Sequence, residues 1–257
     1  NNSDFNALPN GVFDSEVFSM WSYVTHWGDW TAPLGRIPAA FLDVAHKNGV
    51  GVSGVASIPN ATLSGSWFEC LKGIGSMDVD KASKFFQYYG IDGMGYNSEF
   101  FNGNSVVKGV RTFHAALVKK MKPVNPVFEN FWYDGTNDFG QVTFDGGLGN
   151  HNKETFGDKD NVRTSLFFNY NWNRGQLGPS VTFAEQLGRD PLDIYCGVNM
   201  QGGEPRGTSW SLLPDQRVSI GLWGAHSYNM FWESRAELGS SDEMKQFAYL
   251  RRTECYF

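Results

Sequence analysis

The chain has 257 residues, of which 41% are hydrophobic and 19% charged, and its formal net charge is −6. This length suits one large domain or two small ones, and the hydrophobic content excludes a disordered chain. The acidic balance and the absence of a basic run disfavour nucleic acid as a partner. No apolar run approaches the roughly 18 residues of a transmembrane helix, so we expect no membrane span.

The three cysteines, Cys70, Cys196 and Cys255, are too few for a disulfide framework, and no Cys/His cluster has zinc-ligand spacing. We therefore predict no metal and no cofactor. Aromatic residues make up 16% of the chain. Aromatic side chains pack cores in any protein, but many here stand beside polar residues at predicted strand ends, where they could stack on sugar rings.

Predicted strands and helices alternate through the first half of the chain. Strands are predicted at 21–27, 50–57, 92–99 and 127–132, and helices from Pro38 to Asn48, at 78–89 and at 105–121. Gly49, Gly90 and Pro123 supply the stop signals of these helices.

The pattern loosens in the second half. A hairpin is predicted at 141–144, strands at 164–170, 193–199 and 218–224, and helices at 182–187 and 241–251. Ser241 is a candidate N-cap for the last helix.

Repeated strand–helix units indicate a parallel sheet, and strands that are apolar on both faces indicate that helices cover it. The nucleotide-binding variant is disfavoured, because no G-x-G-x-x-G or P-loop lysine motif follows a strand. We therefore predict an α/β fold, a (β/α)8 TIM-type barrel that occupies residues 1–257 as a single domain. Seven strands are identified, and the eighth is expected within 201–214 or elsewhere.

The active site of such a barrel lies at the C-terminal ends of its strands. Asn97 and Glu99 stand at the end of the third predicted strand, two residues apart and thus on one face. Gly93 and Gly95 precede them on that face, where small residues are expected to leave room for a ligand.

Other predicted strand ends carry an aromatic side chain with an amide, carboxyl or imidazole group. These residues are Trp27 after the first strand, Tyr133 and Asp134 after the fourth, Trp172 after the fifth, and His226 and Tyr228 after the seventh. Together they favour a carbohydrate-binding cleft, in which His226 could hydrogen-bond a sugar.

Glycoside hydrolysis usually requires two carboxyl groups, whereas the best strand end offers one carboxyl and one amide. An amide can orient the 2-acetamido group of a substrate that attacks its own anomeric carbon, with Glu99 as acid and then base. Two alternatives stay open: a two-carboxylate glycosidase in which Asp134 or Glu129 assists Glu99, and a glycan-binding barrel without catalysis.

Five segments in order resemble the family 85 glycoside hydrolases, the endo-β-N-acetylglucosaminidases. They read AHKNGVGVSGV, YYGIDGMGYNSE, FWYDG, SLFFNYNW and VSIGLWGAHSY. The resemblance implies a barrel that cleaves the GlcNAc-β-1,4-GlcNAc core of N-linked glycans, with retention of configuration through an oxazolinium intermediate. The implied partner is an N-linked glycan or glycoprotein.

By the same resemblance Glu99 matches the general acid/base, Asn97 the asparagine that orients the acetamido group, and Tyr133 a tyrosine near the reacting sugar. Trp172 and Tyr228 match aromatic positions of the substrate site, and Trp27 does so less closely.

Three positions depart from the family pattern. Phe144 takes the place of a hairpin tryptophan, Gly135 stands where serine is common, and Ser98 replaces an aliphatic residue. Ser98 is expected to face outward with little effect. The resemblance also implies β-sandwich domains after the barrel, and a secreted, periplasmic or cell-surface location with the cytosol as an alternative.

Overall fold

The computed structural model describes residues 21–34, 37–56, 72–99, 104–199, 212–223 and 244. Seven strands form one sheet whose spatial order follows the chain, and every neighbouring pair is parallel. The strands are β1 (His26–Pro33), β2 (Gly51–Val55), β3 (Gly93–Tyr96), β4 (Phe131–Tyr133), β5 (Ser165–Phe168), β6 (Ile194–Asn199) and β7 (Ser219–Trp223).

Helices lie between most of the successive strands. They are α1 (Ala39–Lys47), α2 (Val79–Tyr89), α3 (Asn104–Met121), α4 (Lys153–Phe156) and α5 (Arg174–Gln186). The α2 helix begins where the Asp78 carboxylate accepts two backbone N–H groups and ends at Gly90, whose φ is 67°.

This alternation of parallel strands and helices confirms the predicted TIM-type α/β fold. Residues 201–211, where the eighth strand was expected, lie outside the described residues, and 212–214 form no strand. The predicted helix at 241–251 also lies outside them, except for residue 244.

Several predicted boundaries were wrong. The first strand begins at His26 instead of residue 21, because Trp21–Tyr23 form a 3-10 turn. The fourth strand begins at Phe131 instead of residue 127. The expected hairpin is reduced to one antiparallel bridge between Thr136 and Val142.

The largest error concerns α5, which begins eight residues before the short helix predicted at 182–187. Gly175, Gly178 and Pro179 hide this helix from a propensity argument. The Asn173 side chain caps it by accepting the Gly175 N–H at 2.9 Å.

The core fills the space between the sheet and the helices. Its fully buried members include Val52, Met94, Trp132 and Phe168 from strands and Val110, Leu117 and Met121 from α3. Inside the sheet curvature, the Phe167 ring occupies the space over two glycines. A Cβ at Gly221 would lie 2.1 Å from this ring, and one at Gly197 would lie 2.8 Å away.

Candidate active site

The C-terminal ends of β3, β4 and β5 carry the candidate site. Gly95 pairs with Phe131, and Tyr133 pairs with Phe167, so the residues that follow these pairs emerge side by side at one edge of the sheet. Asn97 and Glu99 follow β3, and Tyr133 ends β4.

Asn97 and Glu99 are both partly exposed, and the Glu99 N–H donates to the Asn97 carbonyl oxygen at 2.9 Å. Neither side chain makes a hydrogen bond to another described residue. Partial burial raises the pKa of the Glu99 carboxyl above its usual range. A carboxyl with these properties can hold a proton closer to neutral pH than an exposed one, which suits a general acid.

Tyr133 is 7% exposed, and its hydroxyl donates to Asn169 Oδ1 at 2.7 Å. Burial raises the pKa of this phenol, and the negative charges of Glu99 and Asp134 raise it further. Tyr133 therefore stays a neutral phenol beside the Glu99 carboxyl.

Asp134 is 3% exposed, and both of its oxygens accept hydrogen bonds from a loop. Oδ2 accepts the Gly146 N–H at 2.7 Å, and Oδ1 accepts Asn152 Nδ2 at 3.1 Å. Burial nevertheless raises the pKa of Asp134 to about 7. This geometry gives the carboxyl a role in fixing the loop, and its predicted contact with substrate stays a prediction.

That loop carries Phe144 to the site, where its ring centroid lies 6.0 Å from that of Tyr133. Phe144 has a φ of 48°, which is strained for a residue with a bulky side chain. Asn171 Nδ2 donates to the Phe144 carbonyl oxygen at 2.8 Å and helps to hold this conformation.

Gly135 lies directly under the acid. A Cβ there would be 2.5 Å from the Ser98 carbonyl oxygen and 3.3 Å from Glu99 Cγ. Gly135, which stands where serine is common in the family, therefore packs closely beneath Glu99.

Ser98 has a larger structural role than the sequence indicated. It is fully buried, and its hydroxyl donates to the Tyr133 carbonyl oxygen. Its own carbonyl oxygen accepts the Thr136 hydroxyl at 2.7 Å. Ser98 therefore ties the end of β3 to the end of β4.

Glu129 lies at the opposite end of the sheet. Its N–H donates to the Asp92 carbonyl oxygen just before β3, and its carboxyl accepts the hydroxyls of Ser165 and Tyr195. Pairing places Glu129 near the level of Gly93, six residues before Glu99. From Gly93 the strand runs three residues further to Tyr96, about 10 Å at 3.3 Å per residue, so Glu129 lies well below the strand end that carries Asn97 and Glu99. The expectation that Gly93 leaves room for a ligand was wrong, because a Cβ there would lie 1.8 Å from the Glu129 carbonyl oxygen.

The structure places two of the aromatic residues that were predicted to contact a sugar. Trp172 is 5% exposed and its indole N–H donates to the Gly197 carbonyl oxygen at 2.7 Å, so its ring packs in the core with little surface for a sugar. Trp27 packs its ring against Phe41 of α1, on the helix side of the sheet. Their predicted sugar contacts stay predictions, and His226 and Tyr228 lie outside the described residues.

Asn169 and Tyr170, which follow β5, were not among the predicted site residues. Asn169 is the hydrogen-bond acceptor of Tyr133, and the Tyr170 ring centroid lies 6.3 Å from that of Tyr133. The signal for Asn169 is its position directly after an apolar strand, which is the same position that Asn97 holds after β3.

Within the described part of the chain, no cluster of three or more His, Cys, Asp or Glu side chains could hold a metal ion. Nor does any described helix combine the length and apolarity needed to cross a membrane.

The fold and the site define a class of protein: a TIM-type barrel that carries, at the described ends of β3 and β4, an accessible carboxyl, an amide two residues before it and a neutral phenol. This set can donate a proton, accept one and orient an amide, as substrate-assisted cleavage of an acetamido sugar requires.

Comparison with known proteins is consistent with this class. The family model of glycosyl hydrolase family 85 matches residues 2–251, and the chain belongs to this family. The chain is 26% identical over 225 residues to the cytosolic endo-beta-N-acetylglucosaminidase of Gallus gallus, covering 80% of this chain and 29% of that protein.

Among solved structures, the glycoside hydrolase domain of Endo-D from Streptococcus pneumoniae R6 matches with a TM-score of 0.71 and 24% identity. The match covers 90% of this chain and 38% of that one. A chitinase from Rhizomucor miehei matches with a TM-score of 0.47 and 13% identity over 75% of this chain and 69% of that one. The chain thus spans well under half the length of the Gallus gallus protein and of the Endo-D chain.

Proposed function

We propose that this chain is an endo-β-N-acetylglucosaminidase that hydrolyses the GlcNAc-β-1,4-GlcNAc core of N-linked glycans by a retaining, substrate-assisted route. Family membership and the paired Asn97 and Glu99 at the end of β3 support the proposal.

In this mechanism the 2-acetamido oxygen of the substrate attacks the anomeric carbon, and Asn97 orients the acetamido group. Glu99 protonates the leaving glycosidic oxygen. The resulting oxazolinium is then opened by a water molecule, which Glu99 deprotonates. Tyr133, held neutral, contributes a hydroxyl beside the reacting sugar.

The observation that carries this mechanism is the absence of a suitable second carboxyl among the described residues. Retaining enzymes with a protein nucleophile place their two carboxyl groups about 5–5.5 Å apart, and inverting enzymes about 6.5–9.5 Å apart. Glu129 lies about 10 Å along β3 below the strand end that carries Glu99, and Asp134 has both oxygens bound to its loop. If the substrate supplies the nucleophile, neither Glu129 nor Asp134 is needed as a second catalytic carboxyl.

The test compares two chitobiose-core glycopeptides, one natural and one with a hydroxyl in place of the 2-acetamido group on the sugar that is attacked. The proposal predicts cleavage of the natural substrate alone, and a large loss of kcat for Asn97→Ala. Comparable cleavage of both substrates would instead support a protein nucleophile, and binding without cleavage would support a glycan-binding barrel.

The proposed substrate fits a secreted, periplasmic or cell-surface location, since N-linked glycoproteins are abundant there. Localisation of the tagged full-length protein in its native host tests this, and retention in the cytosol would contradict it.

A further inference from the structure

The orientation of the Tyr133 hydroxyl bears on the proposed function, on which the role derived below rests. Tyr133 ends β4 and Asn169 is the first residue after the neighbouring β5. The phenol O–H donates to Asn169 Oδ1 at 2.7 Å, a short bond between two partly buried groups.

Ring packing alone does not fix this hydroxyl. The ring of Tyr133 is surrounded by those of Phe144, Phe167 and Tyr170, with centroids 6.0, 6.1 and 6.3 Å away. These contacts set the plane of the ring but leave the O–H bond free to rotate. The direction of the proton is therefore decided by the acceptor that the protein provides.

Three titratable groups face this hydroxyl, one from each neighbouring strand end. Glu99 follows β3 and Asp134 follows β4, and the charges of both raise the pKa of Tyr133. Tyr170 follows β5, and its ring centroid lies 6.3 Å from that of Tyr133. Because both Asp134 oxygens are bound to the loop, Glu99 is the nearby carboxylate that is left to accept the phenol proton once Asn169 is removed.

A phenol has one proton to donate, so donation to Asn169 excludes donation to Glu99. A hydrogen bond from Tyr133 to the Glu99 carboxylate would favour the charged form of the acid and lower its pKa. That change would oppose proton donation to the leaving group.

We propose that Asn169 is a positioning residue for hydrolysis, which accepts the Tyr133 proton and so keeps the phenol oriented and the Glu99 carboxyl free to act as the acid. Asn169 acts through Tyr133 and need not contact the substrate.

The test uses a double-mutant cycle on cleavage of a chitobiose-core glycopeptide by the whole chain. Asn169→Ala should lower kcat about tenfold with little change in KM, and should shift the basic limb of the kcat/KM pH profile to lower pH. Asn169→Asp retains an oxygen that accepts the proton and should recover most of the lost kcat. In the Tyr133→Phe background, Asn169→Ala should cost less than about twofold, because its target hydroxyl is absent.

Asn161→Ala is the matched control, since it also removes an amide but from an exposed loop. It should keep the kcat and pH profile of the wild type. Thermal unfolding of every variant checks folding, and Asn169→Asp preserves the test if Asn169→Ala unfolds.

The possible results separate this inference from the proposed function. If the wild type does not cleave the glycopeptide, the proposed function fails and the role of Asn169 fails with it. If the wild type is active but Asn169→Ala retains its kcat and pH profile, the positioning role alone is overturned. Equal losses from Asn169→Ala with and without the Tyr133 hydroxyl would also overturn it.

Discussion

Replacement of Gly135 by alanine should impair catalysis although it removes no catalytic group. The added Cβ would lie 2.5 Å from the Ser98 carbonyl oxygen, 3.2 Å from Phe144 Cε1 and 3.3 Å from Glu99 Cγ. The Phe144 ring can move, but the Ser98 carbonyl belongs to the backbone that carries Glu99. Relief of this contact requires the two segments to separate by about 0.5–1 Å.

The magnitude follows from this displacement. A shift of about 1 Å in a catalytic group can cost roughly 100-fold in rate, so we expect Gly135→Ala to lower kcat by about 10- to 100-fold. Overpacking should also lower the free energy of unfolding by about 1–3 kcal/mol. Steady-state hydrolysis of a chitobiose-core glycopeptide measures the first effect, and urea unfolding measures the second.

Gly109→Ala provides the control. Gly109 lies within α3, and a Cβ there would have ordinary contact with Gly75 Cα at 3.7 Å. Alanine favours helix over glycine by up to about 1 kcal/mol, so this variant should be as active as the wild type and no less stable. If Gly135→Ala has wild-type kcat and stability, the close packing beneath Glu99 is refuted.

Three further predictions address other groups. Asp134→Asn should lower the free energy of unfolding by about 1–3 kcal/mol, because one loop donor loses its acceptor. It should lower kcat by less than about tenfold. A loss of kcat as large as that of Glu99→Gln would indicate that Asp134 acts directly in catalysis. Arg111→Met should lower the free energy of unfolding by about 3–5 kcal/mol, because it leaves the buried Asp138 carboxylate, 2.9 Å from Arg111 Nη1, without its cation. Urea unfolding measures this loss. A loss below about 1 kcal/mol, which is typical of an exposed ion pair, would contradict the prediction. Burial lowers the pKa of His114 from 6.5 to about 3. As the pH falls below 6.5, His114 therefore binds a proton in the unfolded chain but not in the folded one, and the folded state loses stability. Relative to His114→Gln, the wild type should lose about 2–3 kcal/mol between pH 6.5 and 4.5, and a constant difference would show that His114 is not held neutral.

The fold could be predicted because its main signals are local. The α2 helix has Asp78 at its start and Gly90 at its end, and both act as the sequence indicated. The α5 helix was largely missed because Pro179 and two glycines lower its intrinsic propensity, and because tertiary contacts stabilise it. Ser180 Oγ, for example, accepts the Leu148 N–H at 2.9 Å.

The candidate site was predictable where chemistry and strand position coincide, as for Asn97, Glu99 and Tyr133. It was not predictable where the function of a side chain depends on a partner that is distant in sequence. The bond from Tyr133 to Asn169 spans 36 residues, and that from Asp134 to Asn152 spans 18. For the same reason the pattern could not show that the Trp172 ring is buried, with its indole N–H donating to the Gly197 carbonyl oxygen.

The most direct test of the central claim is glycan release from a high-mannose glycoprotein, followed by mass spectrometry of the protein product. The account predicts that the wild type leaves one GlcNAc on each asparagine, and that Glu99→Gln and Asn97→Ala leave the glycan whole. Release that leaves no GlcNAc, or undiminished release by either variant, would contradict endo cleavage by this pair of residues.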